Sequence, residues 1–507
     1  MSLPNTVRAL IEHRAQTRPD AIYALDATGT HSLSFADLAA GCLNVAALLQ
    51  AHGSKPGDTV SLVMPNGLMT LQLLLGAMHG GWCVNPVNLL AQPDQMRHVL
   101  SHSDCKLVLV SPDWEARVRA ILGTLESEAE RELEIVVISP DAAVLPQAAM
   151  ASTACPRSDD LALLMYTSGT TGLPKGVMLT HGNLCANAHS ISAEHALTAA
   201  DRVLAVLPLY HINAFSITML ATLAHGGSLV MPPKFSAAQF WQQAIDCECT
   251  WINVVPTMIS YLLEGDAPDP ASTRNIRFCR SASAPLAPEQ LTEFEQKFGI
   301  SIIETMGLTE TAAPSFSNPL ACSLRKLGAV GKASGCEARV IDAELLPVPD
   351  GTTGEVAIRG PHVMRGYYKN EAATQAAFTP DGWLRTGDLG HRDVDGFFFI
   401  TGRIKELIIK GGENIAPREI DEALLRHPAV LDAAAVGIPD KHYGQEIMVC
   451  VVLKEGQDLD EASLRQFSTE QLGQYKTPTI IRFVAELPRG PSGKVQRLKL
   501  LNFLEMP

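Results

Sequence analysis

The sequence predicts an α/β protein in which a large N-terminal domain of α/β layers carries a small β-rich subdomain and is followed by an α+β C-terminal domain. Three observations predict it. Helical periodicity alternates with short β-branched runs through the first part of the chain, the text turns β-rich and turn-punctuated near Gly328, and a compact mixture of helix and strand resumes after Gly402-Arg403. At 507 residues, with 46% hydrophobic and 19% charged residues, the chain has material for at least two cores and an ordinary globular composition.

The elements follow in order. Leu38–His52 carries apolar residues at helical spacing, and Thr59–Met64 reads as a strand. Leu107–Ser111 and Ile135–Ser139 are continuous apolar runs, as strands buried on both faces require, and each ends in a turn-forming Ser-Pro pair. A stretch rich in Ala, Pro and Ser between Asp141 and Asp160 leads into the strand Leu161–Tyr166, which runs directly into a glycine-rich segment. Further strands are expected at Ala205–Pro208, Gly227–Met231 and Trp251–Val255. The β-rich subdomain is expected over about 328–402, with strands Glu337–Ile341, Gly354–Ile358 and Gly396–Ile400 and a turn at Val348-Pro-Asp-Gly351. Residues 1–402 would then form the N-terminal domain. The C-terminal domain would be 403–507, with helix Pro417–His427 and strands Ala433–Gly437 and Ile447–Lys454.

A formal charge of −14 with no basic run disfavours nucleic-acid binding, whereas ATP or CoA can still be met by backbone N–H groups and a few concentrated cations. The 11 cysteines include no CxxC pair, so free thiols in a reducing cytoplasm are expected, with Cys247 and Cys249 as structural residues. Arg8 and Glu12 precede any long apolar run, which disfavours a secretory signal. Leu71–Val84 and Met219–Met231 are too short and too interrupted to span a membrane.

The segment Tyr166-Thr-Ser-Gly-Thr-Thr-Gly-Leu-Pro-Lys-Gly176 packs hydroxyls, glycines and one lysine into a short loop after a strand, as a cradle for pyrophosphate oxygens would. Its spacing is not G-x-x-x-x-G-K-[ST], because Lys175 comes three residues after Gly172. The string resembles the phosphate loop of the adenylate-forming superfamily, which includes acyl-CoA synthetases, 4-coumarate-type ligases, firefly luciferases and peptide-synthetase adenylation domains. The resemblance continues through Met306-Gly-Leu-Thr-Glu310, Gly382-Trp-Leu-Arg-Thr-Gly-Asp388, Gly402-Arg-Ile-Lys-Glu-Leu-Ile-Ile-Lys-Gly-Gly-Glu-Asn414 and Pro491-Ser-Gly-Lys494, so five blocks in the family's order cover most of the chain.

That resemblance implies an ATP-dependent, AMP-forming acid:CoA ligase using Mg²⁺, with a carboxylic acid, ATP and CoA as its small-molecule partners, a cytoplasmic location and a homodimer as a candidate assembly. It implies that Thr167, Ser168, Gly169, Thr170, Thr171, Gly172 and Lys175 hold the ATP phosphates. Ser283, Ala284 and Pro285 would line the adenine, beside Met306 and Gly307, while Thr309 and Glu310 would bind the ATP phosphates. Met306 departs from the aromatic residue that many members place there, and a polarizable thioether still suits a purine face. Asp388 would accept from the ribose hydroxyls, and Arg403 would assist at the ribose and α-phosphate. Glu310, with Thr170, would hold Mg²⁺ through hard oxygen ligands. Lys494 would stabilise the charge that grows as the acid attacks the α-phosphorus. Lys405 would be the hinge of a mobile C-terminal domain, whose rotation brings Lys410, Gly411 and Gly412 in to meet CoA.

By the same resemblance His211, Asn213, Ser281, Ser283 and Ala312 shape the acid pocket. His211 is read either as a catalytic and pocket residue or as a gate to the CoA tunnel. No Asp stands between Pro208 and Ser216 to hold an amino group, and the polar lining favours a short acid of the oxalate, malonate or sulfoacetate type. The strings Cys279-Arg-Ser-Ala-Ser283 and Phe316-Ser-Asn-Pro-Leu320 also look like oxalate:CoA ligases. An aryl or medium-chain acid, and an acceptor other than CoA, stay open. A nucleotide-binding regulatory protein without turnover is the reading from a different class, and Lys494, Glu310 and Lys175 speak against it.

Overall fold

The computed structural model describes residues 3–126, 133–142, 145, 154–167, 173–490 and 495–504. Two large sheets build the N-terminal domain. One has nine strands, whose middle runs Ile302–Leu308, Phe278–Ser281, Trp251–Val254, Arg202–Leu204, Ser228–Met231 and Ile22–Asp26, all paired in parallel. Antiparallel strands close both edges, Ala313–Ser317 and Lys332–Ala333 at one and Ser32–Ser34 at the other. The other sheet has seven strands and is parallel from Cys83–Pro86 through Thr59–Val63 and Leu107–Val110 to Glu134–Val137. Leu107–Val110 is wholly buried, as its unbroken apolar text requires. Helices Phe35–Ala51 and Leu68–His79 help join the two sheets through one continuous core. Among the described residues no helix is long and apolar enough to cross a membrane.

Two expectations are corrected. Ala205–Pro208 is not a strand: the strand is Arg202–Leu204, and the following backbone is bridged by the Asn66 side chain, which donates to Leu207 O at 3.0 Å and accepts from Leu209 N at 3.0 Å. A buried amide thus replaces sheet partners there. The strand expected before the glycine-rich segment is present, and a second strand follows the segment. Residues 168–172 lie outside the described residues, but the strands on either side, Leu161–Thr167 and Lys175–Thr180, pair antiparallel with Thr167 opposite Lys175. The segment therefore connects a hairpin, and the next helix, His181–Glu194, starts only after Lys175–Thr180.

Second, region 328–402 is not one continuous unit. Its antiparallel sheet contains Glu337–Ile341, Gly354–Arg359, Leu384–Arg392 and Phe398–Arg403, of which Leu384–Arg392 had no counterpart among the expected strands. Between the second and third strands the chain leaves the subdomain, and Gly366–Tyr367 pairs with Val177 and Met178 on the edge of the seven-stranded sheet. Asn183 draws it there, donating to Pro361 O at 2.8 Å and Val363 O at 2.9 Å.

In the C-terminal domain, Val430–Asp440 and Gly444–Leu453 form a long hairpin flanked by Ile408–Lys410 and, in parallel, by Ile480–Phe483. Strand alternation sorts its two faces. Ala433, Ala435, Ile447 and Val449 pack with helices Pro417–Leu425 and Glu461–Leu472, while Ala434, Val436, Met448 and Cys450 pack with Leu487 and Leu500.

Gly331 ties the nine-stranded sheet to the subdomain. Its carbonyl accepts from Phe398 N at 2.9 Å, its φ is +99°, and an added Cβ would lie 2.0 Å from the carbonyl carbon of Ser317. Gly331→Ala is expected to cost about 2–4 kcal/mol, from the left-handed φ and the backbone clash together. A urea-unfolding midpoint unchanged from wild type would contradict this.

Candidate active site

A cleft of about 1050 Å³ opens at the carboxyl ends of Phe278–Ser281 and Ile302–Leu308, where parallel strands usually present a binding surface. One wall comprises Ser281, Ser283, Ala284, Pro285, Met306 and Gly307. Asp388, Arg403 and Lys405 form its floor, and the C-terminal domain supplies Arg418, Arg489, Gly490, Val495 and Arg497 on the opposite side. Nine residues singled out from separate stretches of sequence thus meet around one cavity.

The wall is held in unusual backbone. Ser283 has φ +75°, and its hydroxyl accepts from Asn213 Nδ2 at 3.2 Å. Ala312 and Ala313 are consecutive non-glycine residues at φ +54° and +94°, a strain typical of functional loops. Beside them, a Cβ on Gly307 would sit 2.2 Å from Ala313 O, so only glycine fits.

Glu310 accepts from the Tyr367 hydroxyl at 2.8 Å, and the Lys175 ammonium lies 4.9 Å from the Tyr367 ring centroid. Burial and the neighbouring Glu310 push the Tyr367 phenol well above its ordinary range, so it stays a hydrogen-bond donor. Tyr367 was missed in the sequence; its available signal was the Gly366-Tyr-Tyr368 string. Thr167, Lys175, Thr309 and Glu310 are not part of the cleft wall. Thr167 and Lys175 close the hairpin whose connection holds Ser168, Gly169, Thr170, Thr171 and Gly172, outside the described residues.

Asp388 is 3% exposed and faces Arg403 across the antiparallel pair Leu384–Arg392 and Phe398–Arg403; Arg403 Nε donates to Asp388 Oδ1 at 2.7 Å. The Asp388 charge holds the guanidinium above its ordinary range. Lys405 follows in the turn Ile404–Glu406, where Glu406 meets Arg497 at 3.2 Å.

Other expected residues stand elsewhere. Lys410 is 5% exposed, 3.0 Å from Glu446 Oε2, and donates to Tyr475 O at 2.9 Å, so its ammonium is tied inside the C-terminal domain. Gly411 and Gly412, at φ +55° and +88°, make the turn between Ile408–Lys410 and Glu413–Ile415, away from the cleft wall. Lys494 lies outside the described residues, but Gly490 and Val495 on either side of residues 491–494 line the cleft. His211 is half-buried with its ring edge-on to Tyr210 at 4.8 Å, just before the π-helical segment Asn213–Leu220. His211, Asn213 and Ala312 are not part of the cleft wall. Among the described residues no group of three or more His, Cys, Asp or Glu could hold a metal ion. A nucleotide-bound Mg²⁺ needs only one or two carboxylates, and Glu310 fits that lesser demand.

Burial pushes the Glu304 carboxyl up to about 7, with Arg418 opposing and Glu422 reinforcing the shift. The folded state therefore binds this proton more tightly than the unfolded chain. The stabilisation is full below about 4.5 and is lost as pH rises to about 7. Glu304→Gln should gain stability relative to wild type on going from pH 5 to 8, by about 1–2 kcal/mol. A stability difference that is the same at both pH values would contradict the assignment.

Known proteins resemble the chain over its whole length. The AMP-binding enzyme profile matches residues 11–368 and the AMP-binding enzyme C-terminal domain profile matches residues 419–494. The sulfoacetate–CoA ligase of Cupriavidus necator is 55% identical over 503 residues, covering 98% of each chain. The oxalate–CoA ligase of Arabidopsis thaliana is 35% identical over 517 residues, covering 99% of each. ATP-bound MatB from Rhodopseudomonas palustris superposes with a TM-score of 0.90 at 30% identity over 99% of each chain. Its apo form superposes with a TM-score of 0.79, again at 30% identity, over 99% of this chain and 100% of its own. With matched profiles over both domains and relatives of this identity aligned end to end, the chain belongs to the AMP-binding enzyme family, in the branch of its acid:CoA ligases.

Proposed function

We propose that the protein is an ATP-dependent, AMP-forming sulfoacetate:CoA ligase of the cytoplasm. The observation that carries the adenylation step is the single cleft in which Ser283–Pro285, Met306 and Gly307 face Asp388 and Arg403 with Gly490 and Val495 opposite. The near full-length 55% identity to a sulfoacetate–CoA ligase supports the choice of acid.

In this reading the adenine lies against Ser283–Pro285 and Met306, Asp388 accepts from the ribose hydroxyls, and Arg403 reaches the ribose and α-phosphate. Thr167 to Lys175 surround the β- and γ-phosphates. Mg²⁺, when bound with ATP, neutralises phosphate charge, and Glu310 and Thr170 would hold it. The carboxylate oxygen of the acid attacks the α-phosphorus and pyrophosphate leaves, giving the acyl-adenylate. Lys494 would act on the reacting oxygens, where a cation stabilises the transition state more than the ground state. The CoA thiolate then attacks the acyl carbon, and AMP leaves to give the thioester.

The arrangement described supports the first step, because the residues flanking Lys494 border the cleft while Lys410, Gly411 and Gly412 do not. The better superposition on ATP-bound than on apo MatB supports the same assignment. For the second step, rotation about Lys405 exchanges the two segments. Lys410 is fastened to Glu446 and Tyr475, so its turn travels with the C-terminal domain as a rigid part.

The test is AMP and pyrophosphate release over a panel of short acids, with and without CoA. Sulfoacetate is expected to give AMP release that requires CoA for repeated turnover, and CoA-independent turnover would contradict the ligase reading. Lys494→Ala should lower adenylation about 1000-fold yet leave thioester formation from supplied acyl-adenylate. Gly412→Leu, at a position with nothing within 4 Å of its added Cβ, should do the reverse. Equal loss of both half-reactions in each variant would refute the exchange of segments.

A further inference from the structure

Arg280 is a buried cation with no acid of its own. It is the third residue of strand Phe278–Ser281 and 1% exposed. Its Nη1 donates to Asn213 Oδ1 at 2.6 Å and to Asn253 Oδ1 at 2.7 Å. Its Nε has no acceptor, and no carboxylate pairs with it among the described residues. Arg497 and Arg403, by contrast, each meet at least one carboxylate. Two amide oxygens orient the Arg280 guanidinium but bring no counter-charge, and a buried, unpaired cation is costly to keep. Burial alone draws it down to about 9, which leaves it cationic at neutral pH. The ring of His195, drawn down to about 3 by burial with Arg280 contributing, adds no compensating anion.

The cation is connected to the cleft. Asn253 stands opposite it on the adjacent parallel strand, while Asn213 heads the π-helical segment, a distortion that often accompanies function. Asn213 donates on to Ser283, which lines the cleft, so two hydrogen bonds separate Arg280 from the wall. Ser281, its neighbour in the chain, also lines the cleft, and its buried hydroxyl has no partner. The Ser216 hydroxyl, one turn beyond Asn213, is buried and unpartnered as well.

We propose that Arg280 is the specificity-determining counter-charge for a second anionic group on the acid, a sulfonate or carboxylate lying behind Ser281 and Asn213 while the other end is activated. This rests on the acid:CoA ligase reading above and extends it to a rule: short acids with a second negative charge are selected over uncharged acids of equal size. A fixed charge in a poorly screened site discriminates such acids by about 100-fold at separations of a few ångströms.

The test measures kcat/KM for AMP release with sulfoacetate and with methylsulfonylacetate, whose far end has similar bulk and no charge. Arg280→Gln is expected to lose about 100-fold on sulfoacetate and change less than about threefold on methylsulfonylacetate, with no fall in Tm. Arg280→Lys should recover at least a tenth of the sulfoacetate activity. Asn213→Asp, which gives the guanidinium an acid of its own, should melt no lower than wild type and lose sulfoacetate. Unchanged sulfoacetate kinetics in Arg280→Gln, or equal losses on both acids, would overturn the assignment while leaving the ligase reading intact. A wild-type enzyme that turns over only acids with an uncharged far end would overturn the assignment and the choice of sulfoacetate, and an enzyme that forms no AMP with any acid would overturn the ligase reading itself.

Discussion

The ion pair between buried Asp388 and partly exposed Arg403 organises the junction on which the site depends. A carboxylate at 3% exposure needs a partner, and Arg403 supplies it from the neighbouring strand at 2.7 Å. That strand is also the last before the chain enters the C-terminal domain, so one pair fixes both the floor of the cleft and the departure point of the following turn. From there a line of charges continues across the junction, from Glu406 to Arg497 and from Arg497 to Asp421 on helix Pro417–Leu425. The Arg418 charge, from the C-terminal domain, also acts on Glu304 across the same gap. The cleft is therefore bounded by electrostatics as much as by packing.

A second cluster, of Glu310, Tyr367 and Lys175, draws the two large sheets together at the mouth of the glycine-rich connection. Tyr367 reaches it because residues 361–368 leave the small subdomain and pair with the strand that starts at Lys175. Its raised phenol stays protonated and keeps donating to Glu310. Strain is concentrated nearby, at Ser283, Ala312 and Ala313, where the close approach of Gly307 leaves no room for ordinary backbone.

Much of this was legible in the sequence where function and contiguity coincide. Ser283–Pro285, Met306–Gly307, Asp388 and Arg403 each sit in a short string whose residue types announce their chemistry, and all of them meet at the cleft. The buried strands were legible because a parallel sheet covered on both faces demands unbroken apolar text. What escaped depends on partners distant in the chain. Tyr367 matters through Glu310 and Lys175, neither of them near it in sequence. Ala205–Pro208 has strand-like composition, yet the Asn66 amide takes its backbone out of the sheet. The tether of Lys410 was not legible either, because Glu446 and Tyr475, which bind it, lie far from it in the chain. Arg280 was visible only as a letter in a string, since its lack of an acid partner is a property of the fold.

The central claim, that the acid is activated by its own attack on the α-phosphorus of ATP, is tested most directly with sulfoacetate labelled by ¹⁸O in its carboxylate. After turnover with ATP and CoA, mass spectrometry of the products is expected to find one labelled oxygen in AMP and none in pyrophosphate, because the bridging oxygen of the acyl-adenylate leaves with AMP. Label in inorganic phosphate with formation of ADP, or AMP carrying no label, would contradict it.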